Sequence, residues 1–133
     1  MEIINFSADL EASESRRIIA GKIVPFENEI GNTSAGKVIF EAGSIQIDDP
    51  SKVKLLLEHD PKQPIGRMKS MSEDSNGIFA EFKVSNTTRG TDSLIEASEN
   101  LRSGLSVGVE VIKGMNKGGV YRVSAARLME VSL

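Results

Sequence analysis

The sequence predicts a mainly β (α+β) fold: a small closed or nearly closed antiparallel β-barrel with two short helices. Three observations predict it. Apolar runs are short, turn residues punctuate most of them, and the clearest runs alternate apolar with polar positions. Strands at this spacing, joined by hairpin turns, favour a sandwich or small barrel.

Residues 17–26 (RIIAGKIVPF) read as a strand with Pro25 near its end, where a missing N–H does least harm. Residues 37–47 (KVIFEAGSIQI) supply one or two strands around Gly43. Asp48-Asp49-Pro50 is a helix-start signal, a capping Asp followed by Pro at the first helical position. It predicts a short helix carrying Val53, Leu55, Leu56 and Leu57, which ends before His59-Asp60-Pro61 because a residue preceding proline disfavours helix. A hairpin follows, residues 65–71 and 78–84 about an Asn76-Gly77 turn. Ile78, Ala80, Phe82 and Val84 share one face of its second strand, Glu81 and Lys83 the other, with Phe79 the exception. Thr91 or Asp92 caps a second helix carrying Leu94, Ile95, Ala97 and Leu101, with Gly104 as its C-terminal cap. Residues 105–112 and 120–133 are the last strands, about a turn at Asn116 to Gly119.

The length of 133 residues fits one domain spanning 1–133, large enough to bury roughly two-thirds of its unfolded surface without a metal or disulfide. The chain stops in apolar, strand-like sequence at Val131-Ser132-Leu133, which suggests truncation at the C-terminus. A net charge of −3 with scattered Lys and Arg gives no footprint for nucleic acid. The absence of cysteine excludes disulfides and thiol nucleophiles, and a single histidine excludes a His-rich metal site. Glu2, Asp9, Glu11 and Glu14 interrupt the N-terminal stretch, so it does not read as a secretory signal, and no apolar run is long enough to cross a bilayer. The default reading is cytoplasmic.

Three segments could carry chemistry. Residues 55–66 (LLLEHDPKQPIG) contain His59, the only imidazole. A lone histidine is more often an ordinary surface or core residue, but it is also the side chain best suited to move a proton near neutral pH. In residues 103–111 (SGLSVGVEV), Leu105, Val107, Val109 and Val111 form an apolar strand face. Ser106, Gly108 and Glu110 lie opposite, and Gly108 leaves room for a substrate backbone beside Ser106. In residues 127–133 (RLMEVSL), Met129, Val131 and Leu133 form an apolar face with Leu128, Glu130 and Ser132 opposite. Read singly, Ser106 and Glu130 are ordinary polar-face residues.

Read together, these segments resemble the prohead (capsid maturation) proteases of tailed phages, whose fold is related to that of the herpesvirus assemblins. The resemblance rests on His59-Asp60 followed by Pro64-Ile65-Gly66, on Gly104-Leu105-Ser106-Val107-Gly108 after a short helix, on the segment Asn86 to Gly90 (NTTRG), and on the terminal Glu130-Val131-Ser132-Leu133. It covers most of the chain. No one motif is specific; their order and spacing together are. One departure is Val109, where the family often has an aromatic residue. It concerns packing rather than chemistry.

The resemblance implies a serine endopeptidase with Ser106 as nucleophile and His59 as general base. Assemblins use a second histidine on a late strand. This chain has none, and phage relatives use an acid, for which Glu130 is the best-placed candidate and Asp60 remains open, although adjacent residues in an extended chain point to opposite sides. The oxyanion hole is expected from backbone N–H groups that the sequence does not locate. The implied substrate is scaffold or capsid-precursor polypeptide, and the enzyme itself, cut inside the immature shell in the host cytoplasm. No cofactor, nucleic acid or membrane is implied, and a homo-oligomer is compatible with it. Two alternatives stand beside this reading. One is a catalytically inactive barrel that binds scaffold or shell protein. The other is a small-ligand barrel, against which the 5% aromatic content argues, since ligand pockets favour aromatic walls.

Overall fold

The computed structural model describes residues 2–27, 31–33 and 35–133. In chain order the elements are β1 (Glu2–Ser13), β2 (Ile18–Pro25), β3 (Gly31–Thr33), β4 (Gly36–Phe40), β5 (Ile45–Gln46), a 3₁₀ turn (Pro50–Lys52), β6 (Lys54–Leu57), β7 (Asp60–Asp74), β8 (Gly77–Val84), α1 (Thr88–Ser98), β9 (Gly104–Lys117) and β10 (Val120–Ser132).

Seven strands close a barrel in the order β10-β6-β7-β8-β2-β1-β9, and β9 pairs again with β10 to complete the ring. The pairing is antiparallel except along one edge of β10. There β4, β5 and β6 dock in turn as parallel partners, at Tyr121 to Val123, at Ala126-Arg127 and at Val131-Ser132. Closure removes the exposed edges that an open sheet of this kind would leave.

The core follows the period of two. Ile78, Ala80, Phe82 and Val84 of β8 are buried, as are Leu105, Val107 and Val109 of β9. Val109 is fully buried, so the residue that departs from the family pattern acts in packing. Phe79 is 38% exposed, and its ring lies under the Lys22 ammonium at 5.5 Å, which explains why an aromatic breaks the alternation. Arg17, with φ of 55°, fastens the β1–β2 turn to the next layer: its guanidinium donates to the carbonyls of Val84 and Ser85 and to Thr91 Oγ1.

Two expectations about helices change. The Asp-Asp-Pro signal does start a turn, with the Asp49 carboxylate accepting from the Ser51 N–H. That turn is 3₁₀ and ends at Lys52, because Val53 is extended (φ −77°, ψ 115°) and residues 54–57 form β6. Leu55 and Leu56 are buried in the barrel wall, so tertiary burial overrides the helical reading of the leucine run. The second helix begins a turn earlier than Thr91 or Asp92, with Thr87 Oγ1 capping the Gly90 N–H. It stops at Ser98, and Asn100 (φ 60°) supplies the left-handed residue past its end in place of Gly104, which opens β9. Leu101 lies outside the helix and is 73% exposed.

Candidate active site

Ser106 sits on β9 with its neighbours Leu105 and Val107 fully buried, so its side chain points away from the core. β10 lies alongside with Ser132 opposite Ser106 and Glu130 opposite Gly108. The strand register alone therefore puts a serine and a carboxylate on one outer face.

A bulge sets that face. Leu128 pairs with Val109 and Glu130 with Gly108, leaving Met129 as the extra residue. Met129 is consequently 46% exposed and Leu128 is buried, the reverse of a strict alternation through residues 128–133. Glu130 and Ser132 stay on the strand face opposite Val131 and Leu133, as expected, although Ser132 is itself buried.

His59 comes from the two-residue turn Glu58-His59 joining β6 to β7, with Leu57 and Asp60 as the flanking pair. Both turn residues have positive φ, 53° and 57°, the conformation that such hairpin loops require and that Asn or Gly adopts most easily. For Glu and His it costs on the order of 1 kcal/mol each. The turn is held from outside: the Glu58 N–H donates to Leu133 O at 3.2 Å, and the His59 N–H to Ser132 Oγ at 3.1 Å. The Glu58 carboxylate pairs with the Arg102 guanidinium at 2.5 Å, and Arg102 also reaches Glu96 of α1 at 3.4 Å. The hydrogen bond that Arg102 donates to Glu58, first, outweighs burial of the guanidinium and holds the Arg102 pKa above its ordinary value.

The imidazole lies between the other two groups. Nε2 is 2.8 Å from Ser106 Oγ, and Nδ1 is 2.5 Å from Glu130 Oε1. An ionised carboxylate only accepts, so the proton of the neutral ring belongs on Nδ1, leaving Nε2 to accept from the serine hydroxyl. The second carboxylate oxygen accepts from Ser132 Oγ–H at 2.7 Å. The His59 side chain is 38% exposed and Glu130 22%, whereas Ser132 is buried, so the line is open at the imidazole and closed at its far end.

Asp60 takes no part in this line. Its oxygens accept from the Lys62 N–H at 2.9 Å and Gln63 Nε2 at 3.0 Å, and these bonds, that of Gln63 first, hold its pKa below the usual carboxylate value. The part of Ser132 was not foreseen. The available signal was its Glu-x-Ser spacing, which sets both polar side chains on one strand face.

A cleft of about 500 Å³ opens at this line, walled by His59, Glu130 and Met129 with Leu56, Pro61 and Lys54. Gly108, two positions along β9 from Ser106, also lines it, offering backbone without a side chain. Among the described residues no group of three or more His, Asp or Glu could hold a metal ion, and no helix is long and apolar enough to cross a membrane.

The arrangement can deprotonate a serine hydroxyl while stabilising the imidazolium that results. No curated protein and no solved structure matches the chain. A family model described as caudovirus prohead serine protease matches residues 5–133, nearly the whole length. The chain, with its closed barrel and its Ser-His-Glu line, belongs to the caudovirus prohead serine protease family.

Proposed function

We propose that this protein is the serine endopeptidase that cuts scaffold or capsid-precursor polypeptide, and itself, inside the immature phage shell in the host cytoplasm. The observation that supports this most is the continuous hydrogen-bonded line Ser106–His59–Glu130, at 2.8 and 2.5 Å. Ser106 Oγ attacks the scissile carbonyl as its proton passes to His59 Nε2, giving a tetrahedral oxyanion. The imidazolium then protonates the leaving amine, the acyl-serine forms, and water repeats the sequence to release the acid. Glu130 holds the ring in the required tautomer and stabilises its charged form. Removing internal protein irreversibly makes room for DNA and commits the shell to maturation.

A barrel that binds scaffold without cutting it needs no such line, and the 2.8 Å contact between Ser106 and His59 counts against that reading. The deciding experiment incubates the purified protein with its capsid precursor and follows processing by mass spectrometry. The wild-type protein is expected to trim the precursor and to be labelled at Ser106 by a fluorophosphonate. Ser106→Ala is expected to stay folded and do neither. Full processing by the folded Ser106→Ala protein overturns the assignment.

A further inference from the structure

Beside the cleft the outer barrel wall carries cations in register. Lys54 of β6 pairs with Arg67 of β7, and Arg67 pairs with Lys83 of β8, so three positive side chains lie on one rung of adjacent strands. All three residues are exposed. Like charges directly opposite each other destabilise a sheet. Among the described residues Lys54 and Arg67 make no ion pair, and the Lys83 ammonium donates to a backbone carbonyl, that of Arg16, at 3.0 Å. Asp49 lies near Lys52, but its carboxylate is engaged by the Ser51 N–H and hydroxyl.

The rung lines a groove of about 860 Å³ together with Lys52, Ser85 and Thr87, and among the described residues no acidic side chain lines it. Thr87 caps α1, so the partial positive charge of the helix N-terminus adds to the same groove. The groove shares Lys52 and Lys54 with the catalytic cleft, so the two hollows adjoin along these side chains. This concentration of positive charge stands on a chain whose net charge is −3.

We propose that the Lys54–Arg67–Lys83 rung is an extended substrate subsite that takes an acidic run of polypeptide flanking the bond cut at Ser106. The proposal rests on the peptidase reading. Carboxylates of the bound segment supply counter-charges to the rung, and their attraction steers that segment toward the cleft. The groove thereby selects acidic substrate regions independently of the residues at the scissile bond.

The test separates binding from hydrolysis. Fluorescence anisotropy follows a labelled oligoglutamate peptide on Ser106→Ala protein and on Ser106→Ala carrying Arg67→Gln and Lys83→Gln. Binding is expected to weaken as salt rises and to fall about tenfold in the charge-neutralised protein. The melting temperature is expected to hold or rise, because a like-charge repulsion is relieved. In parallel, kcat/KM is compared for two peptides sharing one cleavage segment, extended by glutamates or by serines. The wild type is expected to favour the glutamate extension, and Arg67→Gln/Lys83→Gln to lose that preference. Equal oligoglutamate binding by both proteins, or tighter binding of a single-stranded DNA oligonucleotide than of oligoglutamate, overturns the subsite. If neither peptide is cut yet oligoglutamate binding depends on Arg67 and Lys83, the peptidase reading fails and the subsite stands. If both are cut equally well, the subsite fails and the peptidase reading stands.

Discussion

Ser132 and His59, 73 positions apart, are joined by a hydrogen bond of 3.1 Å from the His59 backbone N–H to the Ser132 hydroxyl oxygen. The same hydroxyl donates to Glu130 at 2.7 Å, so one buried side chain fixes both the turn that carries the imidazole and the carboxylate that orients it. Because the turn is strained at two residues, its position depends on such outside contacts.

Ser132→Ala is therefore expected to lower kcat about ten- to a hundredfold while changing KM much less, since small displacements of a catalytic group are costly. Loss of the two hydrogen bonds should also cost roughly 1–3 kcal/mol of stability. Ser132→Thr keeps the hydroxyl and should recover part of the rate if the pocket admits the added methyl. A Ser132→Ala protein that melts early yet turns over at the wild-type rate would reduce Ser132 to a purely structural part.

Loss of the imidazole should remove the base. Nε2 lies 2.8 Å from Ser106 Oγ and is placed to accept its proton. His59→Ala is therefore expected to abolish turnover while the barrel stays folded, as read by kcat and by an unchanged circular-dichroism spectrum. Full turnover by the folded variant would remove His59 from the base role.

Two carboxylates can be told apart by their variants. Glu130→Gln keeps the shape but can donate toward Nδ1, favouring the wrong tautomer, and kcat is expected to drop by about 10⁴ with little change in KM. Asp60→Asn should leave turnover within a few-fold, because Asp60 is bonded to Lys62 and Gln63. Its signature is in stability. A carboxyl with a lowered folded-state pKa stabilises the fold above its unfolded pKa, and loses that contribution as pH falls through the folded one. Wild-type stability should thus decline through that acid window somewhat more than Asp60→Asn stability does, as read by urea melts. Equal loss of kcat in the two variants would undo the distinction.

Much of the barrel was legible because period-two patterns leave few alternatives. The apolar faces at 78–84 and 105–109 are buried as their alternation requires. The strand β1 carries the same period in Ile4, Phe6, Ala8, Leu10 and Ala12, a weaker pattern because two of its five positions are alanine. The leucines at 55–57 were ambiguous, since a short apolar run fits helix or buried strand equally, and only the neighbouring strands β7 and β10 decide it. The Met129 bulge leaves no mark in the residue pattern, because an extra residue is defined by the partner strand it fails to match. At the site, residue types and faces were readable, whereas the Ser132 bridge needs the turn at 58–59 to meet β10 in space.

The Pro-Ile-Gly segment after His59 carries the last prediction. Gly66 lies on β7 between Leu55 of β6 and Val84 of β8. A Cβ built there would meet the Lys83 carbonyl oxygen at 2.3 Å, with Val84 Cα at 3.1 Å. These are backbone atoms, so no rotamer change relieves the overlap and the strands must move apart. Gly66→Ala is expected to cost about 1–3 kcal/mol, seen as a lower urea midpoint at unchanged slope. β7 also anchors the turn that carries His59, so the displacement should reach the 2.8 Å contact with Ser106 and lower kcat below what the remaining folded fraction explains. The nearby Pro64→Ala, at an exposed position, is the control and should change stability far less. Wild-type stability and turnover in Gly66→Ala would mean that β7 and β8 do not approach this closely in solution, and the glycine would then need another reason.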